Sequence, residues 1–336
     1  MCYTSIMKTS QKIIDYIRSS GQATAPELVD YLGITDRAVR KQLKSLFDTN
    51  KLVKVGRPPK VYYSRPSESV NIVSSEALLK KPINSTAKKT INNNFLYITP
   101  RGTVQEGFEG FIYWCQERHL DIAKTADFYQ KTLAKYGQYR NENGLIDGMY
   151  KMKSTFSDVA LDKVFYLDFY AIEVFGKTKL GQMLLFAKQS QDRKLINELA
   201  DTIAPDIDKV IKQHSIDGVG FIPPTVKREL QLMKQLEKRL NLNLKTLTII
   251  KVKTPVAVAQ KTLNKLEDRI INAKETIMVE GSGKYKNILL IDDAVGSGST
   301  LNETAKKIRQ KNMCNGDIIG LAITGSFKGF EVISEV

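Results

Sequence analysis

Apolar and polar positions follow two different periods along this chain. Near the start, Ile13, Ile14 and Ile17 fall at helical spacing and predict a helix with one apolar face. Thr24-Ala25-Pro26-Glu27 is a capping box with proline in the first turn. A second helix therefore starts there, turns Leu28, Val29 and Leu32 inward and stops at Gly33. Thr35 caps a third helix, whose apolar residues are Val39, Leu43, Leu46 and Phe47. Two β-prone segments, Leu52-Val53-Lys54-Val55 and Val61-Tyr62-Tyr63, flank Gly56-Arg57-Pro58-Pro59-Lys60. From about residue 160 short apolar runs alternate with helical stretches. Strands are expected at 164–170, 218–222, 246–250, 276–279, 288–291 and 318–323, and helices at 179–188, 192–213, 227–241, 258–272 and 300–312. Such alternation predicts an α/β fold with a parallel sheet, helices on both faces, and ligands at the carboxyl ends of strands.

Between these regions, residues 66–94 are rich in Ser, Lys and Asn and read as a linker. Residues 95–150 form a helical connector or dimerisation element, with helices near 104–117 and 119–136 carrying Phe108, Phe111, Trp114, Phe128 and Tyr129. The domain expectation is thus 1–65, the linker, the connector, and an α/β domain over 151–336.

Composition narrows the function. The 336 residues hold 51 Lys+Arg against 36 Asp+Glu, a net charge of +15. No apolar run of about 18 residues exists, so no membrane span is expected. The start lacks the apolar core of a signal peptide, so a cytoplasmic location is expected. Cys2, Cys115 and Cys314 are too few and too scattered for a disulfide framework, and His119 and His214 cannot build a histidine metal site. The cations are unevenly placed. Residues 1–65 carry twelve Lys and Arg against five acids, a net +7. Arg37, Arg40, Lys41 and Lys44 fall on one face of the third helix, opposite its apolar face. Helix, tight turn and cationic helix make a helix-turn-helix pattern. The basic Pro/Gly tip with Arg57 and Lys60 looks like the wing of a winged helix (an α+β domain). The expected partner is double-stranded DNA, with the third helix in a major groove and the wing against phosphate.

One strand end carries dense chemistry: Ile291-Asp292-Asp293-Ala294-Val295-Gly296-Ser297-Gly298-Ser299-Thr300. Two carboxylates leave an apolar strand, a Gly/Ser loop follows, and a helix begins. The glycines let backbone amides turn toward one point, the hydroxyls add donors, and the helix start adds positive potential. That is a phosphate cradle, beside which carboxylates can accept hydrogen bonds from ribose hydroxyls, directly or through Mg²⁺-bound water. Gly281-Ser282-Gly283-Lys284 is not a P-loop, because Met278 stands where the earlier glycine belongs and Tyr285 where Ser/Thr belongs. A methyl-donor loop is a weaker reading, because the next strand ends in Thr324-Gly325-Ser326 without an acid.

The stretch closely resembles the phosphoribosyl pyrophosphate (PRPP) motif of type I phosphoribosyltransferases. The resemblance implies that Asp292 and Asp293 hold the ribose hydroxyls and that Val295, Gly296, Ser297, Gly298, Ser299 and Thr300 hold the 5′-phosphate, with Mg²⁺ arriving on the substrate. Gly296 departs from the threonine usual there. Residues 160–336 as a whole resemble the competence-factor (ComF-like) branch of that family, through Lys188, Ile222-Pro223-Pro224, Lys227-Arg228, Lys253-Thr254, Gln260, Leu263, Arg269 and Asn272. By that resemblance Pro224, Thr225, Lys227 and Arg228 would hold pyrophosphate, and residues 252–272, with Lys253 and Arg269, would form a mobile hood. The stretch after the pyrophosphate loop, usually Arg-Gly-Phe-Asn-Gln, reads Arg228-Glu229-Leu230-Gln231-Leu232. Two readings follow. One is a DNA-binding regulator whose phosphoribosyltransferase-type domain senses PRPP or a nucleotide, an arrangement with precedent in the purine-operon repressor of Gram-positive bacteria. The other is an active phosphoribosyltransferase with the winged helix as a targeting module. The altered 228–232 segment and the +7 terminus favour the regulator, and DNA handling during uptake is a weaker third. A homodimer is expected for either of the first two.

Overall fold

The computed structural model describes residues 8–57, 59–65, 82–224, 228–252, 263 and 265–326. The chain divides into two units, Met1–Leu78 and Leu79–Val336. The first holds α1 (Thr9–Ser20), β1 (Gln22–Ala23), α2 (Ala25–Leu32), α3 (Asp36–Asp48), β2 (Val53–Arg57) and β3 (Lys60–Ser64). Its strands form an antiparallel sheet in the order β1-β3-β2. Local chemistry sets the helix ends. The Thr24 amide donates to Glu27 Oε2 at 2.7 Å, and the Glu27 amide donates back to Thr24 Oγ1 at 3.4 Å. Gly33 ends α2 at φ +64°, and Thr35 Oγ1 accepts from the Ala38 amide. Ile13, Ile17, Leu28, Val39, Leu43, Leu46 and Leu52 are buried together. Phe47 departs from the expected apolar face and is 46% exposed. It follows Leu46 by one residue, about 100° round the helix.

The second unit opens with α4 (Ser85–Asn94), which corrects the linker expectation for 66–94. Asn84 Oδ1 accepts from the Thr86 amide, and Ala87 and Ile91, four apart, are buried. β4 (Leu96–Ile98) and β5 (Val104–Glu106) pair before α5 (Gly107–Glu117) and α6 (Ile122–Gly137). The expected helix from 104 starts only at Gly107, whose φ of +60° sets the corner. Phe95, Phe111, Trp114 and Tyr129 pack edge and face within this part of the chain, with Phe95 and Phe111 centroids 5.1 Å apart.

The rest builds three layers. β6 (Ile146–Asp147), α7 (Met149–Thr155), β7 (Lys163–Phe169), the hairpin β8 (Ala171–Ile172) and β9 (Gly176–Lys177), α8 (Lys179–Ser190) and α9 (Arg193–Gln213) come first. Then follow β10 (Gly218–Phe221), α10 (Leu232–Leu240), β11 (Lys245–Thr246), β12 (Ile249–Lys251), α11 (Leu266–Thr276), β13 (Ile277–Val279), β14 (Ile288–Val295), α12 (Ser299–Gln310) and β15 (Ile318–Gly325). The six-stranded sheet has the order β11-β10-β14-β15-β7-β6, parallel except for β6. The short β6 therefore belongs to this sheet, so the α/β part begins before 151. Ile288 to Ile291 are buried on both faces, as a central parallel strand requires. Leu301, Ala305 and Ile308 of α12 and Met152 of α7 cover one face; α8, α9 and α10 cover the other. The strand expected at 246–250 is two: β11 joins the sheet, whereas β12 pairs antiparallel with β13 outside it. The helices expected at 227–241 and 258–272 occupy Leu232–Leu240 and Leu266–Thr276. No helix among the described residues is long and apolar enough to cross a membrane.

Candidate functional site

β14 runs through the acid pair to Val295, so Asp292 and Asp293 are strand residues whose side chains alternate across the sheet. Asp293 turns to α8, where its Oδ2 lies 2.8 Å from Lys188 Nζ. Asp292 Oδ1 accepts from the Asp293 amide at 2.8 Å. Burial, reinforced by the charge of Asp293, raises the Asp292 carboxyl well above the usual carboxylate range, against the pull of Lys188 and Lys251. Lys251 Nζ donates to Asn272 Oδ1 at 3.2 Å, and burial lowers its ammonium while Asp292 opposes that. The two acids are adjacent in the chain but divided between two settings.

The loop after them is tightly specified. Gly298 stands before α12 at φ +84°, and a Cβ there would fall 2.4 Å from Met152 Sδ. Gly298 offers no side-chain cap to α12, and the Ser299 amide already donates to Ser297 Oγ at 3.4 Å, so the Thr300 and Leu301 amides of the first turn are the ones left to an anion. The Ser297 and Ser299 hydroxyls are buried and 2.9 Å from each other. They brace the loop as well as offering a donor. Gly296 is open: only Arg269 Nη1 comes near, 3.8 Å from where its Cβ would sit. Arg269, on α11, is buried, donates from Nε to the Leu263 carbonyl at 2.7 Å, and is lowered by burial. On the other side, α7 brings Lys151, whose Nζ reaches the Ser326 carbonyl at 3.4 Å. Burial and the like charge of Arg269 lower the Lys151 ammonium to about 8. Like charges gathered beside uncapped amides favour an anion between them.

The neighbouring strand brings the second half of the expected site alongside. Phe221 registers with Ile291, and the Ile222 amide donates to the Ile291 carbonyl at 2.8 Å, so the turn at Pro223-Pro224 leaves the sheet beside Asp292. Arg228 donates to the Lys188 carbonyl and is thereby tied to α8. Thr225, Lys227, Lys253, Thr254 and Gln260 lie outside the described residues. Lys151 and Lys251 are absent from the sequence-based site, and Lys188 enters that reading only as a landmark. A lysine carries no sequence signal of its own burial until its element docks.

In the first unit, Arg37, Arg40, Lys41 and Lys44 are all exposed on one face of α3. Arg40 is held by Asp36, Nε to Oδ2 2.6 Å. Arg57 and Lys60 are partners at the end of the β2–β3 ladder, and Pro58 between them lies outside the described residues. No family model matches the chain, and no curated protein matches it.

Proposed function

We propose that this protein is a DNA-binding regulator: a winged helix followed by a phosphoribosyltransferase-type domain that binds PRPP or a related nucleotide. The observation that carries the reading is the convergence of Lys151 and Arg269 on the uncapped loop after β14, with Asp292 on the adjoining strand end. In this reading the 5′-phosphate sits on the amides of Thr300 and Leu301, with Lys151 and Arg269 balancing its charge. Asp292 accepts a ribose hydroxyl, and Asp293 contributes only while sharing its charge with Lys188. Mg²⁺ would arrive on pyrophosphate, and Asp292 is the residue that would hold one of its waters. When bound it would spread the pyrophosphate charge. The altered stretch Arg228-Glu229-Leu230-Gln231-Leu232 favours binding without transfer. The exposed cations of α3 supply the contacts to DNA phosphate and to bases.

Titration calorimetry with PRPP and Mg²⁺ tests the reading, with an assay for pyrophosphate release against a panel of bases. Saturable binding that Asp292→Asn abolishes, without turnover, is the expected result. Unchanged affinity in Asp292→Asn overturns the ribose assignment, and turnover replaces the regulator with the enzyme.

A further inference from the structure

Lys188 is engaged twice. It stands in the last turn of α8, just before Gln191 ends the helix in the left-handed conformation at φ +51°. Its carbonyl is one of the last of the helix, which have no partner within it. Arg228 Nη1 donates to that carbonyl. The residues after Arg228 are fastened to the same helix end. The Leu230 amide donates to Gln191 Oε1 at 3.1 Å, and Gln231 Nε2 donates back to the Arg228 carbonyl at 2.8 Å. The chain that leaves β10 is thus held to β14 through the Ile222 amide and held again to α8 at Arg228. The Lys188 ammonium meanwhile lies 2.8 Å from Asp293 Oδ2 on β14, with the two side chains only 29% and 15% exposed. One residue at the end of α8 therefore touches both the acid pair and the segment expected to face pyrophosphate.

We propose that Lys188 is a positioning residue of this site: through Asp293 it supplies the counter-charge that lets a polyanionic ligand lie beside the acid pair. The inference rests on the reading of the loop after β14 as a sugar-phosphate site. A ligand of the PRPP type brings its pyrophosphate toward the segment held at Arg228, and Asp293 faces the same helix end. A carboxylate left alone there would repel each phosphate charge, and in a partly buried setting salt screens that repulsion poorly. The contact with Lys188 cancels it. Ribose 5-phosphate has no pyrophosphate and keeps its charge at the loop beyond Val295, so it depends less on Lys188. A lysine that merely braced α8 against β14 would affect both ligands alike.

Calorimetry of the full chain with PRPP and with ribose 5-phosphate, each with Mg²⁺, tests it. Lys188→Met is expected to weaken PRPP about tenfold and ribose 5-phosphate by a clearly smaller factor. Lys188→Arg is expected to keep PRPP binding close to that of the unaltered protein, because a guanidinium also pairs with a carboxylate. Adding Asp293→Asn to Lys188→Met is expected to recover most of the lost PRPP affinity, since the charge that needed a partner is gone. The double variant also leaves no partly buried carboxylate alone, and a circular-dichroism melt checks that each protein folds. Its recovery decides the matter even where ribose 5-phosphate binds too weakly to measure. Equal weakening of both ligands in Lys188→Met overturns the proposal, and so does a double variant as weak as Lys188→Met. Failure of the unaltered protein to bind either ligand overturns the sugar-phosphate reading itself, and this proposal with it.

Discussion

Lys151 shows how much one residue depends on its element. In Met149-Tyr150-Lys151-Met152-Lys153 nothing distinguishes it from a solvated lysine. α7 turns Tyr150 to solvent at 86% exposure and buries Met152 against Gly298, and Lys151 lies between these two directions. Its ammonium, lowered to about 8, begins to lose its proton just above neutral pH in the free protein. A phosphate beside it would draw the proton back, so bound and free forms differ in proton content. PRPP affinity is therefore expected to keep the Lys151 contribution below about pH 8. It is expected to fall as pH rises from there toward the ordinary lysine range, by at most about one decade per pH unit. Lys151→Gln should lower affinity below that pH and make the decline shallower, leaving the part that the raised Asp292 carboxyl contributes in both proteins, read by calorimetry across the range. A decline of equal slope in the variant would take Lys151 out of the site. Comparing the two proteins cancels the titration of PRPP itself.

At the scale of elements, the signals that are local were legible and those that depend on a partner were not. The capping box at Thr24, the stop at Gly33 and the cap at Thr35 act within a few residues, and each helix starts or ends there. The run Ile288 to Ile291 announces a buried strand because only a central strand needs apolar side chains on both faces. By contrast, 246–250 reads as one strand, yet Thr248 falls between β11 and β12, which join different partners. β-branched residues record that a segment is extended and not which neighbour it pairs with. The loop after β14 was legible as a cradle through Gly298, whereas its cations come from α7 and α11, distant in sequence. For α3, exposure of the basic face makes a direct prediction. Lys41→Ala with Lys44→Ala should flatten the slope of log affinity for duplex DNA against log salt by about 0.9 for each phosphate no longer neutralised. The unfolding midpoint should hardly move, since exposed substitutions cost within about 0.5 kcal/mol. Arg40→Ala should do less, because Asp36 already holds that side chain. Fluorescence anisotropy over a salt series reads the slope, and an unchanged slope removes this face from the DNA interface.

For the whole molecule, the two readings differ in thermodynamics more than in residues. The unit with the cationic helix and the unit with the loop after β14 are separate compact bodies. A targeting module needs nothing from its neighbour beyond attachment, so PRPP would leave DNA affinity unchanged. A regulator needs a coupling free energy, and coupling is reciprocal. If PRPP with Mg²⁺ changes the dissociation constant for duplex DNA by some factor, DNA must change that for PRPP by the same factor, about 5- to 150-fold for couplings of about 1–3 kcal/mol. The regulator is expected to satisfy both halves: anisotropy titrations of DNA with and without saturating PRPP, and calorimetry of PRPP with and without DNA. Asp292→Asn should return both factors to one while keeping DNA binding itself, since the substitution lies outside the first unit. Equal DNA affinities with and without PRPP would end the regulator reading even if PRPP binds tightly, because a ligand with no preference between two states shifts neither.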